Sequence, residues 1–194
     1  MVKSYYYLVN AITLYRLMAV LILSFLLLSH QLYLFKWFLA VSFFSDLIDG
    51  FLARRYHVCS VFGAKLDSIA DDGTVLAAFF GLLSFRYPFL KEHIVLFLML
   101  FCLYVIQVVM ALYKFGKLTS FHSYSAKIAA MSQGIFFILL FFLPMPMDII
   151  FYISCFFTLI NLLEEIVLVA MLPAWKTNVK GVYWVLKNRD SVKD

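Results

Sequence analysis

The amino-acid sequence predicts an all-α integral membrane protein: a single membrane domain over residues 1–194 with six transmembrane helices. Hydrophobic residues make up 65% of the chain and charged residues only 14%, whereas soluble domains are about half apolar and a quarter charged. The mean hydropathy is +0.96. A spanning helix needs about 20 mostly apolar residues, and the sequence offers six such stretches, at about 8–28, 32–53, 66–85, 93–113, 127–144 and 148–172.

Turn-forming residues fall between these stretches and support the division. They are Ser29-His30, Tyr87-Pro88, Pro144 and Pro146. Segment 1–8, before the first apolar stretch, is predicted to be juxtamembrane. It would form either part of an aromatic belt or a short amphipathic segment at the headgroup level. No small-residue cleavage site follows a short apolar core, so we expect the first helix to be retained rather than removed as a signal peptide.

The distribution of basic residues predicts the orientation in the membrane. With six spans, one side receives Lys3, Arg54, Arg55, Lys65, Lys114, Lys117, Lys127, Lys176, Lys180, Lys187, Arg189 and Lys193, and the other receives only Lys36, Arg86 and Lys91. Cytoplasmic segments carry the excess of Lys and Arg. Both termini and the tail 173–194 are therefore expected in the cytoplasm, in a cell or inner membrane.

Charge and cysteine content exclude other classes. The net charge of +5 is concentrated on the predicted cytoplasmic side, where it faces anionic lipid, so a nucleic-acid partner is not needed to explain it. The three cysteines are scattered and have no paired metal-ligand spacing. They predict neither a disulfide framework nor a zinc site, and we expect them to be small buried apolar side chains.

The candidate site residues are concentrated in the segment 45–72, SDLIDGFLARRYHVCSVFGAKLDSIADD. Helical spacing places the motif residues of its first half on one face and those of its second half on another single face. The first set is Asp46, Asp49, Gly50, Ala53 and Arg54; the second is Gly63, Asp67 and Asp71. A hairpin between the two helices would bring four carboxylates to one point at the cytoplasmic surface, beside small residues that leave room for a ligand.

Four neighbouring carboxylates in a membrane protein need compensating positive charge. A single Asp at the centre of a spanning helix costs about 2.5–3.5 kcal/mol on insertion scales, and mutual repulsion adds to that cost. Arg54 alone cannot balance four carboxylates. Two divalent cations would, and oxygen ligands favour Mg²⁺, Mn²⁺ or Ca²⁺. Such a pair can clamp a phosphoryl group in an in-line displacement, with Arg54 suited to a diphosphate oxygen. Solvated Asp–Arg pairing in a loop is the alternative that the residues alone leave open.

The spacing D-x2-D-G-x2-A-R-x8-G-x3-D-x3-D over 46–71 resembles the signature of the class I CDP-alcohol phosphatidyltransferases at every fixed position. Upstream, NAITLYR is similar to a family segment through Asn10, Thr13 and Arg16. Downstream, SAKIAAMSQ is similar to a weaker segment through Lys127 and Gln133. Six spans with cytoplasmic termini also fit the family fold.

The resemblance implies a role for each matched residue. Asp46, Asp49, Asp67 and Asp71 would bind two divalent cations, Mg²⁺ or Mn²⁺, and Asp71 would also be the general base. Gly50, Ala53 and Gly63 would admit the cytidine nucleotide, and Arg54 would hold its phosphates. The implied reaction is attack of an alcohol hydroxyl on CDP-diacylglycerol with release of CMP, in phospholipid biosynthesis. Family members are commonly homodimers.

Several polar residues keep more than one interpretation. Arg16 would either extend to the cytoplasmic interface or contribute to the site. Lys114, Lys117 and Lys127 would either set the topology or bind substrate, with Lys127 preferred for an acceptor phosphate. For Glu164 and Glu165 we expect a packing role, with at least one facing the protein interior and Asn161 sharing its face.

The acceptor alcohol is the least determined part of the reaction. Cytoplasmic lysines favour an anionic alcohol, and we place glycerol 3-phosphate first, as in a phosphatidylglycerophosphate synthase. Ser68 follows Asp67, a position at which the resemblance to glycerol-phosphate members of the family would lead us to expect proline. Inositol, inositol phosphate and serine are therefore kept as alternative acceptors. An ion-coupled transporter is the alternative of another class. Its usual internal repeats and broken helices are not evident in the sequence.

Overall fold

The computed structural model describes residues 2–56, 61–117, 119, 121, 123–144, 148–176 and 179–190. Within these, the helical backbone alone is described for residues 2–13, 46–47, 49–56, 61–69, 71–72 and 188–190. The elements are α1 (Val2–Leu28), α2 (Leu32–Tyr56), α3 (Val61–Phe85), α4 (Tyr87–Glu92), α5 (Ile94–Phe115), α6 (Tyr124–Phe142), α7 (Asp148–Met171) and α8 (Val182–Asp190). The prediction of an all-helical chain is confirmed in the described residues, which contain no strand.

The chain divides into two compact units. The first is Met1–Glu92 with Phe141–Pro144, and the second is His93–Leu140 with Met145–Asp194. In the first unit α1 packs against both α2 and α3, α2 contacts α3, and α4 contacts α3. In the second unit α5 packs against α7, and α7 contacts α8.

Three helices of the described chain are long and apolar enough to cross a membrane, namely α5, α6 and α7. Helices α1, α2 and α3 contribute shorter apolar stretches at Leu14–Leu28, Leu32–Ser45 and Gly73–Phe85. Each of these stretches adjoins residues of the same helix for which the backbone alone is described, so the stretches are parts of longer helices. Six complete spans therefore remain a prediction.

The turn predicted at Ser29-His30 has a defined geometry. His30 adopts a positive φ of 52°, a conformation in which His is enriched among non-glycine residues. The His30 N–H donates to Leu27 O, and the Gln31 N–H donates to Leu26 O. This pair of bonds is the Schellman arrangement that satisfies the last carbonyls of a helix. It ends α1 and directs the chain into α2.

The first unit is packed through small residues on one face of α3. Ala70, Ala77, Ala78 and Gly81 recur at helical spacing, and the three alanines are buried. A Cβ at Gly81 would lie 2.6 Å from the Phe35 ring of α2, so this glycine permits the ring to approach the helix backbone. Small residues at helix contacts are typical of membrane proteins, where close backbone approach replaces the hydrophobic drive.

The second unit has a separate apolar cluster where α5, α7 and α8 meet. Its buried members are Ala111, Phe121, Leu168, Val169 and Leu172, with Val182 and Val185 of α8 packed against them. Helix α5 ends at Gly116, which has a left-handed φ of 66° and donates its N–H to Leu112 O. Of the cysteines expected to be buried, Cys102 is exposed on α5 and Cys155 is half-buried on α7; Cys59 lies outside the described residues.

Candidate active site

The backbone of the motif is helical on both sides of residues 57–60. Asp46, Asp49, Gly50, Ala53 and Arg54 lie in the last three turns of α2. Gly63, Asp67 and Asp71 lie in the first three turns of α3. The helical spacing on which the prediction depends is therefore present in both segments. The side chains of these eight residues lie outside the described part of the structure.

The two helices that carry the motif contact each other and are joined by a short connection. Helices α2 and α3 contact one another, and the four residues between Tyr56 and Val61 can span at most about 18 Å. At 1.5 Å per residue, Asp49 lies about 10 Å from the end of α2 and Asp67 about 9 Å from the start of α3. Asp46 and Asp71 each lie about 15 Å from the same two ends. Asp49 and Asp67 therefore lie at similar distances from the facing ends of the two helices, and so do Asp46 and Asp71.

Such a set suits a hard divalent cation. Carboxylate oxygens are the preferred ligands of Mg²⁺ and Mn²⁺, so the chemistry of the four aspartates fits the prediction of divalent cations. Among the side chains that the structure describes, no group of three His, Cys, Asp or Glu residues could hold a metal. The side chains of the four motif aspartates are not among those described.

Arg16 is a buried charge in the first unit. It lies on α1, the helix that packs against both motif-bearing helices, and only 1% of its surface is exposed. A guanidinium is removed from water at a large cost unless oxygen atoms accept from it, and Arg16 is not without a partner. The burial does not fit a side chain that extends to the membrane surface. Asn10 and Thr13 belong to the same helix, but their side chains lie outside the described residues.

Ser42 is a polar residue that sequence reasoning did not single out. It lies on α2 one helical turn before Asp46, and its side chain is buried. Among the described residues its hydroxyl has no hydrogen-bond partner, whereas the buried Thr74 hydroxyl of α3 donates to Ala70 O. A serine four residues before a motif aspartate shares its helix face, so spacing alone could have identified Ser42.

The lysine candidates belong to the second unit and have different environments. Lys114 Nζ donates to Val169 O and Ala170 O at 2.9 and 2.8 Å, and so satisfies carbonyls at the end of α7. Lys117 Nζ lies 5.2 Å from the centre of the Trp175 ring. Lys127 is exposed in the first turn of α6, with Nζ 5.3 Å from the centre of the Tyr124 ring. Of the three, Lys114 has a defined structural role.

Gln133 and the two glutamates of α7 are held within the second unit. Gln133 donates to Thr158 at 2.8 Å. Glu165 accepts from Thr119 at 3.3 Å and from Asn161 at 3.2 Å. Glu164 accepts from the Ser125 hydroxyl and from the backbone N–H of Val182. The structure agrees with the expectation that these glutamates face the protein, with Asn161 beside them.

A comparison with protein-family models gives a match to CDP-alcohol phosphatidyltransferase over residues 6–160, which is most of the chain. The chain belongs to the CDP-alcohol phosphatidyltransferase family. No curated protein and no solved structure matches it significantly. Family membership confirms the general enzyme class, phosphatidyl transfer from a CDP-alcohol at a membrane. Members of the CDP-alcohol phosphatidyltransferase family generally depend on divalent metal ions.

The matched range includes the whole of the 46–71 motif and the segment containing Lys127 and Gln133. It ends at residue 160, before Glu164, Glu165 and helix α8. The contacts of these later residues are therefore features of this CDP-alcohol phosphatidyltransferase that the family match does not describe.

Proposed function

We propose that the protein transfers the phosphatidyl group of CDP-diacylglycerol to the hydroxyl of a small polar alcohol and releases CMP, a step of phospholipid biosynthesis. The observation that carries this proposal is that the motif aspartates lie on two helices in contact, at matched distances from their facing ends, in a chain that belongs to a phosphatidyltransferase family. The same membership supports transfer over ion-coupled transport. We further propose that residues 1–194 act as one catalytic domain, since the family match draws on both compact units.

The motif aspartates are the proposed centre of the reaction. Asp46, Asp49, Asp67 and Asp71 would hold two divalent cations, Mg²⁺ or Mn²⁺. When bound, such ions acidify the acceptor hydroxyl and neutralise charge on the diphosphate. Asp71 would accept the hydroxyl proton as general base, a task for which a carboxylate needs only modest basicity when the hydroxyl is already acidified.

The proposed transfer forms one bond to phosphorus and breaks another. The acceptor oxygen forms a bond to the phosphorus that bears diacylglycerol, and the bond from that phosphorus to the oxygen of the CMP phosphate breaks. CMP leaves with the electron pair, and the hydroxyl proton passes to Asp71. Arg54 would hold the diphosphate oxygens, while Gly50, Ala53 and Gly63 would leave room for the nucleotide.

The residues of α1 and α6 would complete the substrate contacts. The buried charge of Arg16 lies on the helix that packs on both motif helices, which supports a place beside the aspartates or the diphosphate. Asn10 and Thr13 would contact the donor from the same helix. Lys127, exposed at the start of α6, would bind an acidic group of the acceptor.

Glycerol 3-phosphate is the acceptor we propose first, as in a phosphatidylglycerophosphate synthase, with inositol, inositol phosphate and serine as alternatives. We propose a homodimer with six spans, both termini in the cytoplasm, and the site at the cytoplasmic face of a cell membrane. The excess of basic residues on the motif side supports this orientation. The donor would then reach the site from the bilayer and the soluble acceptor from the cytoplasm.

The test of the proposal is CMP release from CDP-diacylglycerol by the purified protein with Mg²⁺ or Mn²⁺. Glycerol 3-phosphate, inositol, inositol phosphate and serine are supplied in parallel. Release that depends on one acceptor supports the transfer and identifies the alcohol. Folded protein that releases no CMP with any of them, and that gains no thermal stability from CDP-diacylglycerol with metal, would contradict it.

A further inference from the structure

Residues 173–189 combine basic charge with exposed aromatic side chains. This stretch holds Lys176, Lys180, Lys187 and Arg189 and contains no Asp or Glu. Its exposed large side chains include Tyr183 at 65% and Trp184 at 40%. We use the term tail patch for the exposed side chains of Trp175, Lys176, Lys180, Tyr183, Trp184, Leu186 and Lys187.

The tail patch is held at the end of a predicted membrane span. Val182 and Val185 of α8 pack against the apolar cluster that contains Leu168 and Val169 of the last turn of α7 and Leu172 just after it. Helix α7 is one of the helices apolar enough to cross a membrane. Because α8 packs at the end of α7, the outward face of α8 would lie at the level where α7 leaves a bilayer that it spans.

Hydrogen bonds fix the start of α8 and the segment before it. The Val182 N–H donates to Glu164 Oε1 at 3.0 Å, and the Tyr124 N–H donates to Lys180 O at 3.4 Å. The Tyr124 ring lies 5.3 Å from that of Trp184, centre to centre. These contacts connect α8 to α6 and α7, so the position of the tail patch is set by the fold of the second unit.

Residues on opposite sides of α8 have different surroundings. The two valines occupy the side against the apolar cluster, while Tyr183, Trp184, Leu186 and Lys187 are exposed. Large aromatic side chains in water are unfavourable, whereas Trp and Tyr are enriched at the headgroup level of membranes. Basic residues at that level are attracted to anionic lipids and add affinity charge by charge.

We propose that the tail patch is an interfacial anchor that seats α8 on the headgroups of an anionic lipid leaflet. Its aromatic and leucine side chains would enter the headgroup region, and its lysines would pair with lipid phosphates. This surface is separate from the motif of α2 and α3, and it lies beyond the residues matched by the family model. The anchor does not depend on the proposed catalytic function.

Tryptophan fluorescence of the full chain tests the proposal. The chain has three tryptophans, so a Trp37→Phe, Trp175→Phe variant reports on Trp184 alone. The protein is reconstituted in phosphatidylcholine vesicles with or without phosphatidylglycerol, using lipids brominated near the headgroup end of the acyl chains. We expect blue-shifted emission and strong quenching in the anionic vesicles, with both effects weaker in high salt.

Charge-removing variants provide the matched comparison. Replacing Lys176, Lys180 and Lys187 together by Gln should weaken the association of the tail patch with anionic headgroups, on the order of fivefold for each lysine removed, and so reduce the quenching of Trp184. Lys91→Gln, an exposed lysine of α4 outside the patch, should leave Trp184 quenching unchanged.

Three results would overturn the anchor. The first is unquenched, water-like emission in both kinds of vesicle. The second is equal quenching with and without phosphatidylglycerol, or quenching that survives removal of the three lysines. The third is blue-shifted emission without quenching by brominated lipid, which would mean that a protein surface, such as a second copy of the chain, covers Trp184 instead.

Discussion

Glu164 Oε1 accepts a hydrogen bond of 3.0 Å from the backbone N–H of Val182. Glu164 lies near the end of α7, and Val182 is the first residue of α8. The first N–H groups of a helix have no partner within the helix, and a carboxyl group near a helix N-terminus is favoured by the helix dipole. The other oxygen of Glu164 accepts from Ser125 of α6. One acidic side chain thus joins three helices of the second unit.

Removing this side chain should destabilise the protein. Glu164→Ala leaves the Val182 N–H without its acceptor, and the loss of such a bond at a part-buried donor costs about 1–3 kcal/mol of unfolding free energy. Glu164→Gln keeps an acceptor oxygen and should lose less. Thermal unfolding in one lipid or detergent system measures both. The control is Leu163→Ala, at a neighbouring position that is 48% exposed, and it should lower the melting temperature less. Equal melting temperatures for Glu164→Ala and wild type would contradict the role of Glu164.

Gly181 should tolerate no side chain. Its φ is +148°, and a Cβ would lie 2.7 Å from Glu164 Oε1, so Gly181→Ala combines backbone strain with displacement of the helix-capping carboxyl group. Strained φ values of this kind cost about 1–3 kcal/mol. Gly116→Ala is the matched control, because its φ is +66° and no atom of the described residues lies within 4 Å of the new Cβ. Thermal unfolding should show the larger loss for Gly181→Ala, and the reverse order would contradict the close approach.

Lys114 and Lys127 should respond differently to substitution. Lys114→Gln removes bonds to two carbonyls at the end of α7, so it should lower stability and leave the KM for the acceptor unchanged. Lys127→Gln should raise the acceptor KM, on the order of tenfold for loss of one charge-assisted bond of about 1.5 kcal/mol, with little change in melting temperature. Steady-state kinetics beside thermal unfolding separates the two. A KM effect at Lys114 with none at Lys127 would overturn the assignment.

Gly63→Leu should block nucleotide binding through bulk rather than charge. The proposal requires close approach of the cytidine nucleotide to α3 at this position, whereas Ala64→Leu adds bulk at the adjacent residue, about 100° around the same helix. We expect CDP-diacylglycerol affinity, measured by ligand-dependent thermal stabilisation, to fall for Gly63→Leu and to persist for Ala64→Leu. Unchanged affinity in Gly63→Leu would remove Gly63 from the nucleotide site.

Hydropathy predicted the helices best where the helices are apolar throughout. The stretches expected at 93–113 and 148–172 correspond to α5 and α7 within two residues. The stretch expected at 66–85 belongs to a helix that begins at Val61, because hydropathy does not register the polar motif residues in its first turns. Helices α4 and α8 were not predicted. Both are short. Helix α4 has Pro88 in its first turn, where proline is tolerated. The Tyr87-Pro88 pair that predicted a turn therefore lies at the start of a helix.

The spacing of the motif residues predicted the candidate site, but the sequence did not predict the contacts made by the other polar residues. A fixed pattern of eight residues predicted which helices carry the carboxylates, and helical spacing gives their relative depth. The family resemblance preferred Lys127 for an acceptor phosphate, but nothing in the sequence indicated a structural role for Lys114. Their roles depend on which carbonyls lie within reach, and that is a property of how α5 packs against α7. At least one of Glu164 and Glu165 was expected to face the protein interior, but Val182, the partner of Glu164, lies in a tail for which no helix was predicted.

The most direct test of the central claim compares Asp67→Asn with Asp72→Asn in CMP release from CDP-diacylglycerol. Both variants neutralise one carboxylate on α3, but only Asp67 belongs to the paired set at matched depth. With Mg²⁺ or Mn²⁺ and the preferred acceptor, we expect Asp67→Asn to lose at least 100-fold in rate, roughly 2.7 kcal/mol of barrier, and Asp72→Asn to stay within a few-fold of wild type. Wild-type release should stop when the metal is chelated. Equal rates for Asp67→Asn and wild type, or release that persists without divalent metal, would contradict the account.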